Sequence, residues 1–184
     1  MTIPRAPARL PADMAQSLGH AIAAFGFLEE ALKRAIFSLT RKGLGAKANE
    51  RALESWLHRM EDIADDSLGT LIDAFIAALA HGAAADRKSL TRELRDIRLM
   101  RNLLCHASWR PGSRDGHWRP TFINTRGEKF PDEMSVEDLD EITARTLATA
   151  RRAVSIMRAT GIEGEWIGWD DDEFEEDNKD QPSD

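Results

Sequence analysis

A chain of 184 residues, 42% hydrophobic and 31% charged, has enough apolar material for one sizeable core, and twelve glycines and seven prolines are too few for a fibrous or linker-rich polymer. The net charge of −7 is unevenly placed: ten acidic residues and one lysine lie between Glu165 and Asp184, giving that tail −9 and the remainder +2. A uniformly acidic body would repel nucleic acid, whereas a nearly neutral one with clustered arginines does not. The single cysteine, Cys105, excludes an intramolecular disulfide and any Cys-based zinc cage. The first twenty residues lack an apolar h-region, and the most apolar run, Leu71 to Ala80, is short and contains Asp73. Neither export nor membrane spanning is expected, and the expected location is cytoplasmic.

In chain order, residues 1–12, with three prolines and two arginines, read as a flexible arm. Asp13 is placed to cap a first helix running to about Arg41, where Gly43 and Gly45 end it. Leu18, Ile22, Phe25, Glu29, Leu32, Ile36 and Leu39 follow in steps of four and three, the repeat of a helix face that meets other helices. Glu29 interrupts that stripe. Either Leu28 covers the core and Glu29 lies just off the seam, or Glu29 faces an arginine across a helix pair. Asn49 caps a second helix to about Ile63, with Leu53, Trp56, Leu57 and Met60 on its apolar side. Ser67 opens a third to about Ala80, whose broad apolar face from Leu68 to Leu79 predicts central burial.

After a break at Gly82, a fourth helix starts near Asp86 or Ser89 and stops abruptly before Pro111. Its stripe is Leu90, Leu94, Ile97, Arg101 and Leu104, so Arg101 stands where an apolar residue belongs. A buried guanidinium is costly unless paired, and this one asks for a partner or a use. Between Ser108 and Phe130, Trp109, Trp118, Phe122, Ile123 and Phe130 are interrupted by Pro111-Gly112, Asp115-Gly116 and Arg126-Gly127, which predicts a β-hairpin or small meander. Ser135 and Asp138 form a capping-box variant for a last helix to about Thr160, stopped by Gly161. The expectation is a mainly α protein, a four- to five-helix bundle over residues 13–162 with a hairpin at about 107–130 and an acidic, disordered tail over 163–184.

The chemistry concentrates in Arg101-Asn102-Leu103-Leu104-Cys105-His106. An imidazole titrating near neutrality can take the proton of a ribose 2′-hydroxyl, and a guanidinium can hold the scissile phosphate by two hydrogen bonds as charge grows on it. A helix C-terminus favours the imidazolium form, and Asn102, four residues before His106, shares its face. On a regular helix Arg101 and His106 lie about 140° apart around the axis and roughly 7.5 Å along it, so one copy makes a loose site. Two copies about a twofold axis would make a composite groove, and the chemistry argues for a homodimer.

With these residues the sequence resembles the HEPN-domain family, all-helical proteins whose ribonucleases carry Arg, four to six residues, then His, often with Asn after the Arg. The match is Arg101, Asn102 and His106. The resemblance covers roughly residues 13–160 and implies a bundle that dimerises through its motif helices. It further implies metal-independent endoribonuclease activity in toxin–antitoxin, phage-defence or RNA-processing systems, with an antitoxin protein as a candidate partner. Two other Arg-to-His spacings, Arg51 to His58 and Arg110 to His117, lack the Asn and the helix end. In this reading His106 is base or acid, Arg101 the phosphate clamp, Asn102 an orienting donor and Glu29 the partner of Arg101; no cofactor or metal is needed.

Competing readings stay open. In the other reading His106 is simply a helix C-cap and Arg101 a structural partner of Glu29, in a catalytically silent bundle that binds protein or nucleic acid. Cys105 is expected to be small and buried rather than a nucleophile. Arg92, Arg95 and Arg98 step by three toward Arg101, either as a solvated ridge paired with Glu93 and Asp96 or as a phosphate-tracking ridge. In the hairpin Arg110, Arg114, Arg119, Arg126 and Lys129 alternate with Trp109, Trp118, Phe122 and Phe130, which suits single-stranded RNA, although the rings serve equally to cover the bundle edge.

Overall fold

The computed structural model describes residues 9–45, 48–64, 66–79, 87–121 and 133–162. The elements run α1 (Ala12–Leu44), α2 (Glu50–Ala64), α3 (Leu68–Leu79), α4 (Arg87–His106), β1 (Ser108–Pro111), β2 (Trp118–Thr121) and α5 (Val136–Arg158), a mainly helical fold with one small antiparallel hairpin before the last helix. Among the described residues no helix is long and apolar enough to cross a membrane. The arm up to residue 8, the start expected at Asp86, the aromatic and basic residues from Phe122 to Phe130, and the acidic tail lie outside the described residues.

The first helix begins two residues earlier than a cap at Asp13 implies. Pro11 is the N-cap, with φ −56° as its ring requires, and its carbonyl accepts from the Ala15 N–H at 2.9 Å. Asp13 sits inside the first turn, where its Oδ1 accepts the Met14 N–H and its charge complements the helix N-terminus. Gly43 is helical, and the chain leaves the helix at Gly45, whose φ of 73° suits glycine.

The buried face of α1 is broader than the large-residue stripe: Phe25, Leu32 and Ile36 of that stripe are buried and Leu18 and Leu39 pack against the core, and a second row of mostly small residues is buried beside them. Met14, Ser17, Ala21, Ala24, Leu28, Ala31, Ala35 and Ser38 are buried in steps of three and four, while Ile22 is 44% exposed. Alanine and serine let a partner helix approach closely, so the pattern of side-chain size, not only of apolarity, selects the packed face. The partner is α5, with which α1 makes its most extensive contact; the buried residues of α5 are likewise small in its second half, including Thr146, Thr149, Ala150 and Ala153. The threonine hydroxyls donate to the carbonyls of Ile142 (2.7 Å) and Arg145 (2.9 Å), so they enter the core without an unmet hydrogen bond. At its start α5 has a complete capping box: Ser135 Oγ accepts from Asp138 N, and Asp138 Oδ2 accepts from Ser135 N.

Helix α2 is held by one edge. Asn49 Oδ1 accepts the Ala52 N–H, Trp56 stacks obliquely on Phe37 with centroids 4.6 Å apart, and its Nε1 donates to Thr40 Oγ1. Leu53 and Leu57, expected on its apolar side, are exposed, and Trp56, Met60 and Ile63 make the contact with the core instead. Helix α3 buries Leu68, Leu71, Ile72, Phe75 and Leu79 as its broad apolar face requires, and α4 closes the bundle with Leu90, Leu94, Ile97, Leu103 and Leu104.

Candidate functional site

Helix α4 ends at His106, and the bond from Ala107 N–H to the Leu103 carbonyl (2.8 Å) closes its last turn before β1 begins at Ser108. The motif therefore lies on regular helix up to its final residue. Leu94, Ile97 and Leu104 fix the core-facing side, and Arg101 stands at its edge. There it meets α1: Arg101 Nη2 lies 3.7 Å from Glu29 Oε1, the side chains being 30% and 27% exposed. Half-buried on both sides, the pair meets at ion-pair distance while part of the guanidinium still faces solvent. The two interruptions in the apolar stripes, Glu29 in α1 and Arg101 in α4, are thus brought together.

Asn102 and His106 lie one turn apart on the open face of α4, Asn102 half-buried and His106 exposed. Within one chain the guanidinium and the imidazole project about 140° apart. Cys105, expected to be buried, is exposed, because Leu103 and Leu104 already occupy the inward positions of the last turn. Among the described residues no three His, Cys, Asp or Glu side chains converge as a metal site would need.

The hairpin resolves the alternative left open for its aromatic and basic residues. β1 and β2 pair with Trp109 opposite Pro120 and Arg110 opposite Arg119. Strand alternation sends Trp109 (7% exposed) and Trp118 (9%) into the core, so the rings cover the bundle edge and are not stacking platforms for bases. Their backbone is locked further by Met134, which exchanges two 2.7 Å hydrogen bonds with Trp118.

Two of the outward arginines serve a carboxylate that sequence reading missed. Glu133, its side chain 6% exposed, accepts from the Ser113 N–H at 2.6 Å and from Arg119 Nη2 at 2.9 Å, with Arg114 Nε 3.6 Å away. The Ser113 amide, aided by Arg119, holds the Glu133 carboxyl well below the usual range, at about 2. A Cβ on Gly112 would come within 2.7 Å of the His117 carbonyl and 2.9 Å of that carboxylate, so only glycine fits there. No local pattern announces Glu133, since its partners are 14 and 20 residues away. Of the six candidate RNA-contacting residues, Arg98 also turns elsewhere: it lies across Gly69 of α3 with its Nη1 3.8 Å from Asp73. Arg110 stays exposed.

The chain matches no protein-family model, no curated protein and no solved structure, so the site rests on its own geometry.

Proposed function

We propose that the protein is a metal-independent endoribonuclease of HEPN type, acting as a homodimer that cleaves RNA by attack of the 2′-hydroxyl and leaves a 2′,3′-cyclic phosphate, in a toxin or phage-defence role. The observation that carries the reading is the pairing of Arg101 with Glu29 at a half-exposed edge of the bundle, one turn from the helix end that bears His106. Glu29 orients a guanidinium that still has donors for a phosphate, Asn102 supplies a further donor, and the imidazole moves the proton. The 140° divergence within one chain is met by a second copy, whose His106 faces the first chain's Arg101 across the shared groove. Exposed Ile22 lies two turns from Glu29 on the same side of α1, with Gly19 and Gly26 open beside it, a smooth apolar strip suited to that contact.

The test is RNA cleavage by purified protein in EDTA: wild type cuts, His106→Ala does not, and the product ends in a cyclic phosphate. A second reading, a catalytically silent bundle that binds protein or nucleic acid, is favoured by the Arg101–Glu29 pair taken as purely structural. Under it, diverse RNAs stay intact with wild type, and Arg101→Ala lowers thermal stability without changing any activity.

A further inference from the structure

Where α4 begins, beside α3, a cavity of about 660 Å³ is lined by Ile76, Arg87, Lys88, Thr91, Arg92, Arg95 and Asp96. Four cations and one carboxylate make it strongly basic, although the described body of the chain is nearly neutral. Asp96 stays within the cavity and offsets one of the four cations, but the other nearby acids are engaged elsewhere. Glu93 is drawn to the other side of α4, where Arg152 of α5 donates to its Oε2 and Ser89 donates to its Oε1. Asp73 of α3 goes to Arg98. Among the described residues Arg87, Lys88, Arg92 and Arg95 have no ion-pair partner, whereas Arg34, Arg98, Arg101, Arg114, Arg119 and Arg152 each have one. Like charges held this close, without internal partners, disfavour the empty surface and favour an anion on it.

The direction of the ridge is set by helix geometry. Lys88 and His106 are eighteen residues apart, about five full turns, so they lie in line along α4. Arg95 and Asn102 fall near the same line, seven and fourteen residues after Lys88. The basic cavity and the motif's open face are therefore two ends of one strip about 27 Å long.

We propose that this strip is a track for the backbone of single-stranded RNA: Arg87, Lys88, Arg92 and Arg95 hold successive phosphates and deliver the strand to Asn102 and His106. The far end of the track rests on the nuclease reading; the basic end does not. Lys88, Arg92 and Arg95 make a single row of cations on one helix face, with Arg87 at its flank, which matches one strand rather than the two of a duplex. In-line attack by a 2′-hydroxyl also requires an unpaired, flexible strand.

The experiment uses the full chain carrying His106→Ala, fluorescein-labelled oligouridylate, EDTA and a salt titration, with binding read by anisotropy. Each phosphate contact to a single strand adds about 0.7 to the slope of log affinity against log salt. The added substitutions K88Q, R92Q and R95Q should reduce that slope by about 2 and lower affinity at low salt by about tenfold or more. A control with K42Q, R51Q and R59Q removes the same charge elsewhere and should bind as its parent does. Circular dichroism confirms that both variants fold, which is expected since Lys88, Arg92 and Arg95 are exposed. Unchanged binding by the first variant, equal loss in the control, equal affinity for duplex RNA, or capture of polyglutamate in place of RNA would each overturn the track.

Cleavage of a ribodinucleotide by wild type separates the two ideas, because so short a substrate reaches Arg101 and His106 without touching Lys88. If the dinucleotide is cut while the triple substitution leaves oligomer binding unchanged, the track falls and the nuclease stands. If the oligomer binds through the track and nothing is cut, the nuclease falls and the track stands.

Discussion

Around the hairpin, Arg114 and Arg119 converge on Glu133, and the neighbouring tryptophans point inward. Along α4, Arg87, Lys88, Arg92 and Arg95 share one open surface, and the glutamate that follows Arg92 is held by α5 instead. Both regions look like nucleic-acid contacts by composition, yet the hairpin uses Arg114 and Arg119 to fasten a turn and the first half of the helix leaves its cations to solvent. The difference teaches that a basic residue is informative about partners only after the acids around it have been assigned. It also predicts that damage to the hairpin is read in stability, and damage to α4 in binding and turnover.

The largest effect that sharpens this contrast is on cleavage. His106→Ala should lower the rate by about 10²–10⁴-fold, as expected for loss of a general acid or base. Arg101→Ala should lower it by about 10²–10³-fold, as loss of a group that stabilises transition-state charge does. Neither should move the Glu133-dependent behaviour of the hairpin. Gel analysis of labelled RNA in EDTA checks both, and normal activity of either variant would break the assignment of function to α4.

Trp109→Ala, in the region assigned to structure, should destabilise the fold by about 3–5 kcal/mol by chemical denaturation, the cost of emptying a large aromatic site in a core. If it instead left stability intact and abolished RNA binding, the two regions would have to exchange roles. A smaller test uses R110Q, R114Q and R119Q together. Oligouridylate affinity should change by less than about twofold, in contrast to the tenfold expected from the same charge loss on α4.

Acid supplies a third probe. Because the folded carboxyl of Glu133 titrates at about 2, below its ordinary 4.5, its stabilising contribution is complete above about pH 4.5. It is lost progressively as pH falls from there toward 2. Indole proton signals of Trp109 and Trp118 should broaden across that window, and Glu133→Gln should remove this component of the pH dependence. The smallest effect is at the next residues of the chain: Ser135→Ala should cost about 1 kcal/mol, through loss of the cap on the first turn of α5.

Local signals carried much of this architecture. Asn49, Ser135 and Asp138 announced helix starts because capping is a contact between near neighbours, and Asp115-Gly116 announced the turn because Gly116 must adopt φ of 71°. The paired interruptions at Glu29 and Arg101 were visible as charges in apolar stripes, and the structure joins them. The α1 stripe was legible at Phe25, Leu32 and Ile36 and failed at Ile22, while the buried Ala and Ser positions beside it carry little apolar signal although they admit the closest packing. Glu133 and the alignment of Lys88 with His106 escaped for a different reason. The first is a contact between distant segments, and the second becomes meaningful only once Glu93 is seen bonded to Arg152.

The close packing of α1 on α5 joins the earliest and latest described elements of the chain. During synthesis the 33-residue α1 must wait, its alanine-lined side bare to water, until the last helix has left the ribosome. Termination anywhere before Val136 leaves that helix without its main docking surface.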